Sequence, residues 1–91
     1  MNKQRRQDLQ EALNKFEEAK ALLEEAKEII ENASEEERDA FECLPEGLQE
    51  SDRGQAMEEN ADDLEEAEEQ VDDILSSIDE VSETIQNTIE K

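Results

Sequence analysis

The segment Leu44-Pro45-Glu46-Gly47-Leu48-Gln49-Glu50-Ser51 separates two long stretches of helix-forming sequence. Pro45 has no backbone N–H and disfavours helical backbone at Leu44, so it ends the preceding helix, and Gly47 leaves the backbone free to turn. Ser51, followed by Asp52, is a typical N-cap for a second helix. The segment therefore predicts a helix over residues 3–44, a turn over 45–51 and a helix over 52–90.

Apolar residues recur at alternating steps of three and four on both sides of this turn, which is a heptad pattern. In the first stretch, heptad position a holds Leu9, Phe16, Leu23 and Ile30, and position d holds Ala12, Ala19, Ala26 and Ala33. The second stretch has Met57, Leu64, Val71, Ile78 and Ile85 at a, and Asn60, Ala67, Ile74, Val81 and Thr88 at d. Because a short turn makes neighbouring helices antiparallel, we predict an all-α fold, an antiparallel two-helix coiled-coil hairpin that forms one domain over residues 1–91.

The alanines at position d suggest a register, in which each small residue faces a large one. The expected pairs are Ala12 with Ile85, Ala19 with Ile78, Ala26 with Val71 and Ala33 with Leu64. This register also places Lys27 beside Glu68, and Phe41 beside Gly54, where the missing side chain leaves room for the ring. Ser34 with Glu37 matches a capping box that would break the first helix. We expect a continuous helix instead, because the apolar pattern reaches Leu44.

Five apolar residues lie outside positions a and d and widen the apolar stripe beyond what one partner helix covers. They are Leu13, Leu22, Ile29, Leu75 and Ile89. We expect them to form an oligomer interface through which two hairpins assemble into a four-helix bundle, a homodimer. The alternatives are a monomeric hairpin with a thin core and a face that docks a different protein.

The composition excludes several classes of function. The chain has 30 Asp and Glu against 9 Lys and Arg, a net charge of -21, so direct binding to nucleic acid or to an anionic membrane is not expected. His is absent, which removes the commonest general base and metal ligand, and no calcium-loop motif is present, so we expect no enzyme, catalytic residue, metal or cofactor. A single Cys43 and no apolar run longer than Ala21-Leu22-Leu23 indicate a cytoplasmic protein.

The excess acid is concentrated in the second helix. Residues 1–33 carry a net charge of -2, whereas residues 51–91 carry -13. On the second helix, eleven of the twelve residues at the outward positions b, c and f between 58 and 83 are acids, and we call them the acidic face. They are Glu58, Glu59, Asp62, Glu65, Glu66, Glu69, Asp72, Asp73, Asp79, Glu80 and Glu83.

The density of this charge resembles that of nucleic acid. Residues 58–73 hold 10 carboxylates in 16 positions, which is one charge per roughly 2.4 Å of helix axis, against one per about 1.7 Å in duplex DNA. A basic groove that binds phosphates is therefore a plausible partner for the acidic face, which would act as a DNA or RNA mimic. The alternatives are solubility alone and the binding of a basic protein without mimicry.

The turn carries a recurring motif of a Phe, Leu-Pro-Glu, Leu-Gln, Ser and a basic residue before Gly. Here it is Phe41, Leu44 to Glu46, Leu48 to Gln49, Ser51, and Arg53 to Gly54. With the acidic helix after it, this sequence resembles a group of small acidic proteins from phages and prophages of Gram-positive bacteria. The resemblance implies a phage-borne accessory protein in the host cell cytoplasm.

Small acidic phage proteins often inhibit host defence proteins, and by this analogy we expect a non-enzymatic inhibitor that binds a nucleic-acid-binding host protein at its basic surface. Exposed Pro45, Leu48 and Arg53 in the turn would add specificity. Alternatively, Leu44 and Leu48 only cover the end of the bundle. A function of a different class is a structural or adaptor coiled coil that binds itself or a partner helix through its apolar stripe.

Overall fold

The computed structural model describes residues 1–91 and contains three helices: α1 over Lys3–Glu42, α2 over Glu46–Gln49 and α3 over Asp52–Glu90. Helices α1 and α3 contact each other as an all-α helical hairpin, which confirms the predicted fold class. Helix α1 runs through Ser34 without a break and ends at Glu42, two residues before the predicted end. The turn is more ordered than expected, because α2 forms a single helical turn within it.

The turn is held by hydrogen bonds from two motif side chains. Gln49 Nε2 donates to the carbonyl oxygens of Phe41 at 3.4 Å and Leu44 at 3.3 Å, which ties α2 to the end of α1 and to the residue before Pro45. Ser51 Oγ accepts a hydrogen bond from the Gly54 N–H at 3.2 Å, which is the N-cap contact predicted for α3. Much of the motif therefore serves to build the turn.

Gly54 is required by a close approach between α3 and α2. A Cβ atom at this position would lie 2.3 Å from the Gln49 carbonyl oxygen and 2.6 Å from that of Leu48. Backbone carbonyls therefore lie closest to the space that the missing side chain leaves, whereas the position of the Phe41 ring beside Gly54 stays a prediction. Gly47, in contrast, has nothing within 4 Å of the equivalent position.

The contacts divide the chain into two units, a finer division than the single domain expected. The first unit contains residues 1–25 and 72–91. Leu13 is buried there, and Lys20 Nζ donates to Asp79 Oδ1 at 3.0 Å across the two helix segments. Pairing of early α1 residues with late α3 residues makes the segments antiparallel.

The second unit contains residues 26–71, including the turn. Its most buried side chains are small: Ser34 is 4% exposed and Ala61 is fully buried, with Gly54 also buried. Arg38 joins the two helix segments through ion pairs with Asp62 and Glu65. This unit is again an antiparallel helix pair.

The residues at position a are half-buried on both helices, as predicted, but several of those at position d are exposed. In the first unit, Ala12 and Ala19 are half-buried, but in the second unit Ala26 and Ala33 are exposed, so their predicted pairing with Val71 and Leu64 was wrong. Position e is buried in their place, at Ser34 in α1 and Ala61 in α3 among others. An α-helix has 3.6 residues per turn, so a strict seven-residue repeat drifts by about 20° per heptad unless the helices supercoil.

The burial of position e in place of position d also affects the predicted oligomer interface. Leu13 is buried by the chain itself, and its assignment to an exposed stripe was wrong. Leu75 and Ile89 are half-buried. Leu22 and Ile29 are 65% and 69% exposed.

The chain buries few large side chains. Leu13 and Ala61 are the only buried hydrophobic residues, and no large side chain is fully buried. The accessible surface is 6720 Å², compared with about 5,400 Å² for a typical folded monomer of this mass. The core is thin, as the composition suggests.

Candidate functional site: the acidic face and a groove beside it

All eleven residues of the acidic face lie on α3 and are exposed. Six of them, between Glu58 and Glu69, belong to the second unit, and the other five, between Asp72 and Glu83, belong to the first. The four at position c of the heptad make no ion pair within the chain. They are Glu59, Glu66, Asp73 and Glu80. These four side chains provide charge that no base of the chain offsets.

Bases from α1 reach other members of the acidic face. Arg38 donates to Asp62 Oδ1 and to Glu65 Oε1, both at 2.9 Å. Lys20 donates to Asp79 at 3.0 Å. These hydrogen bonds, together with the carboxylate charges, raise the pKa of both basic groups. No Lys or Arg of α3 lies between the residues of the acidic face. Two bases of α1, Lys20 and Arg38, nevertheless offset part of its charge.

Two other lysines are paired within α1. Lys15 lies 3.8 Å from Glu18, and Lys27 lies 3.5 Å from Glu31. These two lysines offset acids of α1 itself.

A groove of about 440 Å³ lies between the two helix segments of the second unit. It is lined by five carboxylates and one hydroxyl, from Glu31, Ser34 and Glu35 of α1 and Glu65, Glu68 and Glu69 of α3. This groove was not predicted from the sequence, because the acidic face was sought on α3 alone and half of the groove lining comes from α1. The four-residue spacing of Lys27, Glu31 and Glu35, which places them on one face of α1, was the sequence signal from which the groove could have been inferred.

Glu68 is half-buried in this groove, and its surroundings disfavour a negative charge on its carboxyl group. Its pKa is raised by burial first and then by repulsion from Glu31 and Glu65. Lys27 lowers the pKa, which agrees with the predicted position of Lys27 beside Glu68. The groove therefore concentrates negative charge at a partly desolvated place, where a cation would relieve the repulsion.

The carboxylates of the chain do not converge as metal ligands. No group of three or more His, Cys, Asp or Glu side chains has the geometry to hold a metal ion. The acids instead follow the helices one turn after another, which suits an extended cationic surface.

A second groove lies in the first unit and is much less charged. Its lining includes the amides Gln10, Asn14 and Gln86 beside Leu13, with two carboxylates, Glu17 and Glu83. The strong accumulation of acid is therefore a property of the groove in the second unit.

The predicted turn residues are all accessible. Pro45 and Arg53 are exposed, and Leu48 is 52% exposed. Leu44 is half-buried. Cys43 is an exposed free thiol.

None of the helices is long and apolar enough to cross a membrane. Comparison of the chain with protein families, curated proteins and solved structures finds no match.

Proposed function

We propose that this protein is a non-enzymatic interaction protein whose acidic face binds the basic, nucleic-acid-binding surface of another protein as a DNA or RNA mimic. The setting implied by the turn motif makes it a phage-encoded inhibitor of a host defence protein. The observation that supports the proposal best is the row of unpaired carboxylates at position c of α3. Counted with the other acids of residues 58–73, they give this helix a linear charge density comparable to that of a DNA duplex.

The proposal has a physical consequence for salt dependence. Binding that replaces phosphate contacts depends on long-range attraction, which ions screen over about 10 Å at 0.1 M salt. Affinity for the partner should therefore fall steeply as the salt concentration rises. An apolar docking interface has no such dependence.

A direct test uses the immobilised protein in a Gram-positive bacterial lysate at low salt, followed by elution with duplex DNA or RNA. Partners held by their nucleic-acid-binding surfaces are released by the nucleic acid, whereas partners held elsewhere stay bound. Recovery of nucleic-acid-binding proteins in this eluate is the expected result. Retention that nucleic acid does not reverse would contradict mimicry.

Two charge-matched variants then locate the surface. One variant replaces the position c acids of α3 with Lys, namely Glu59, Glu66, Asp73 and Glu80. The control replaces the position c acids of α1 with Lys, namely Glu11, Glu18, Glu25 and Asp39. Both change the net charge equally, but only the α3 variant should abolish capture and inhibition. Equal loss in both would mean that net charge, rather than the acidic face, holds the partner.

A second candidate function, a self-associating or adaptor helical hairpin, is supported by exposed apolar side chains in the first unit. Leu22, Ile74 and Val81 are 65%, 47% and 43% exposed. The accessible surface exceeds that of a typical monomer by about 1,300 Å², and a standard interface buries about 800 Å² per partner. In this function the acid serves solubility.

Sedimentation equilibrium at low and high salt tests this second function. A dimer that persists in high salt, and that becomes a monomer when Ile74 and Val81 are replaced by Gln, would support it. Replacement of Leu48 by Gln is the control, because Leu48 is 52% exposed but lies in the turn. A monomer at all salt concentrations would exclude self-association.

A further inference from the structure

The chain itself shows how α3 holds a guanidinium group. Arg38 lies at position b of α1 and reaches Asp62 and Glu65, which occupy positions f and b of α3. The two 2.9 Å contacts are charge-assisted hydrogen bonds to separate carboxylates. One turn of acids on α3 is thus sufficient to bind one arginine side chain.

The groove in the second unit lies one heptad along α1 from this arginine. The residue seven positions before Arg38 is Glu31, so α1 presents a carboxylate to this groove at the heptad position that Arg38 occupies one repeat later. Glu31 lines the groove together with Glu68 and Glu69 of α3. Lys27 pairs with Glu31 and Arg38 with Glu65, so two bases stand against the five carboxylates of the groove.

Ser34 provides an independent sign that the groove accepts a ligand. The side chain is 96% buried, since 4% of its surface is exposed, and it lines the groove. Its hydroxyl forms no hydrogen bond within the chain. Every side-chain nitrogen or oxygen that is sealed from solvent has a hydrogen-bond partner. The Ser34 hydroxyl has none, so it keeps some exposure, and Ser34 lines the groove. A ligand that enters the groove meets a hydrogen-bonding group at its base.

We propose that this groove, formed by Glu31, Ser34, Glu35, Glu65, Glu68 and Glu69, binds an arginine side chain of the basic partner. The inference rests on the proposed function, because the partner supplies the cation. The guanidinium donates to the carboxylates and to Ser34 Oγ, in the way that Arg38 serves the neighbouring acids. It relieves the repulsion around Glu68.

Two observations favour an extended organic cation over a metal ion. The carboxylates lack the geometry for metal coordination. The groove volume of about 440 Å³ lies within the range of sites that hold small organic ligands, roughly 300–1,000 Å³. A guanidinium carries five N–H donors in a planar fork, so it can span more widely separated carboxylates than a compact ammonium, whose three donors share one nitrogen.

The test titrates the full chain with the peptide acetyl-Gly-Arg-Gly-Arg-Gly-amide and records amide shifts by NMR. The lysine counterpart of the peptide and spermine are the comparison probes. We expect the arginine peptide to shift residues 31–35 and 65–69 most, and to bind more tightly than either probe. Shifts spread evenly along α3, or equal affinity for spermine, would overturn the proposal.

The variant Glu31→Arg provides the sharper test, because it places a guanidinium in the groove from within the chain. We expect at least a tenfold loss of peptide affinity together with a melting temperature that rises by about 1–5 °C. Unfolding cannot produce this combination. The control Glu25→Arg makes the same charge change at an exposed position and should weaken the peptide no more than about threefold. Equal losses in the two variants would overturn the proposal.

The outcomes separate the groove from the proposed function. If the peptide occupies the groove but no partner is released by nucleic acid, the groove stands and mimicry is refuted. If Glu31→Arg still captures the partner while the α3 charge reversal does not, mimicry is supported and the groove proposal is wrong.

Discussion

Replacement of Gly54 by Ala tests the close contact between α3 and the turn. The added Cβ would lie 2.3 Å from the Gln49 carbonyl oxygen and 2.6 Å from that of Leu48. Both contacts involve backbone, so the clash is relieved only if α2 and α3 move apart, and overpacking of this kind costs about 1–3 kcal/mol. Ala gains up to about 1 kcal/mol of helix propensity over Gly, which offsets part of this cost.

We therefore expect Gly54→Ala to lower the free energy of unfolding by about 1–2 kcal/mol. For a chain of this length, that corresponds to a melting temperature lower by roughly 4–16 °C. Thermal unfolding followed by circular dichroism at the helix band measures the shift. Loss of the N-cap hydrogen bond from Gly54 to Ser51 should accompany the movement, and the Gly54 amide would then exchange faster with solvent.

Gly47→Ala is the matched control, because it adds the same methyl group where nothing lies within 4 Å. No glycine of the chain has a positive φ, so Ala is compatible with the backbone at this position. Here we expect stabilisation by about 0.4–1 kcal/mol. If the two variants change the melting temperature in the same direction by similar amounts, the inferred contact between α3 and α2 is incorrect.

Three further changes address the turn, the groove and the interhelical ion pairs. Ser51→Ala removes the N-cap of α3 and should reduce the free energy of unfolding by about 1 kcal/mol in urea denaturation. Because the pKa of Glu68 is raised in the fold, protonation of this carboxyl stabilises the fold below the ordinary pKa of 4.5, and this contribution is lost as the pH rises. Glu68→Gln should therefore raise the melting temperature at pH 7 and make the melting temperature less dependent on pH. Arg38→Gln should lower the melting temperature, and more so at low salt than at high salt. The control is Arg53→Gln, which should lower it less because the Arg53 side chain forms no ion pair; equal effects of the two variants would contradict the role of Arg38.

The fold follows from the sequence because its determinants are local. Pro45 ends α1 near its position, and Ser51 begins α3 with the hydrogen bond that its side chain predicts. The helical period of the apolar residues is sufficient to predict two paired helices. The short helix α2 was missed, since four residues between a proline and a cap leave no period to detect.

The pattern predicted position a correctly, but it did not predict that position e is buried more than position d beside it. A strict heptad favours a and d, but alanine at d buries little area, so the apolar gain from facing Ala26 or Ala33 inward is small. Small residues at e allow close approach, as Ser34 and Ala61 show. The groove depends on this choice, because it is lined by side chains beside position e on both helices.

The asymmetry of charge between the helices argues for binding rather than solubility alone. Solubility depends on the net charge, and sharing acids and bases equally between α1 and α3 would keep that charge with less repulsion along α3. The structure shows instead that α1 carries the bases and directs Lys20 and Arg38 to acids at positions b and f of α3. The acids at position c are left unpaired, and the groove of the second unit gathers five carboxylates. These bases limit the repulsion within the helix pair, while the outer carboxylates and the groove stay available to a cationic surface.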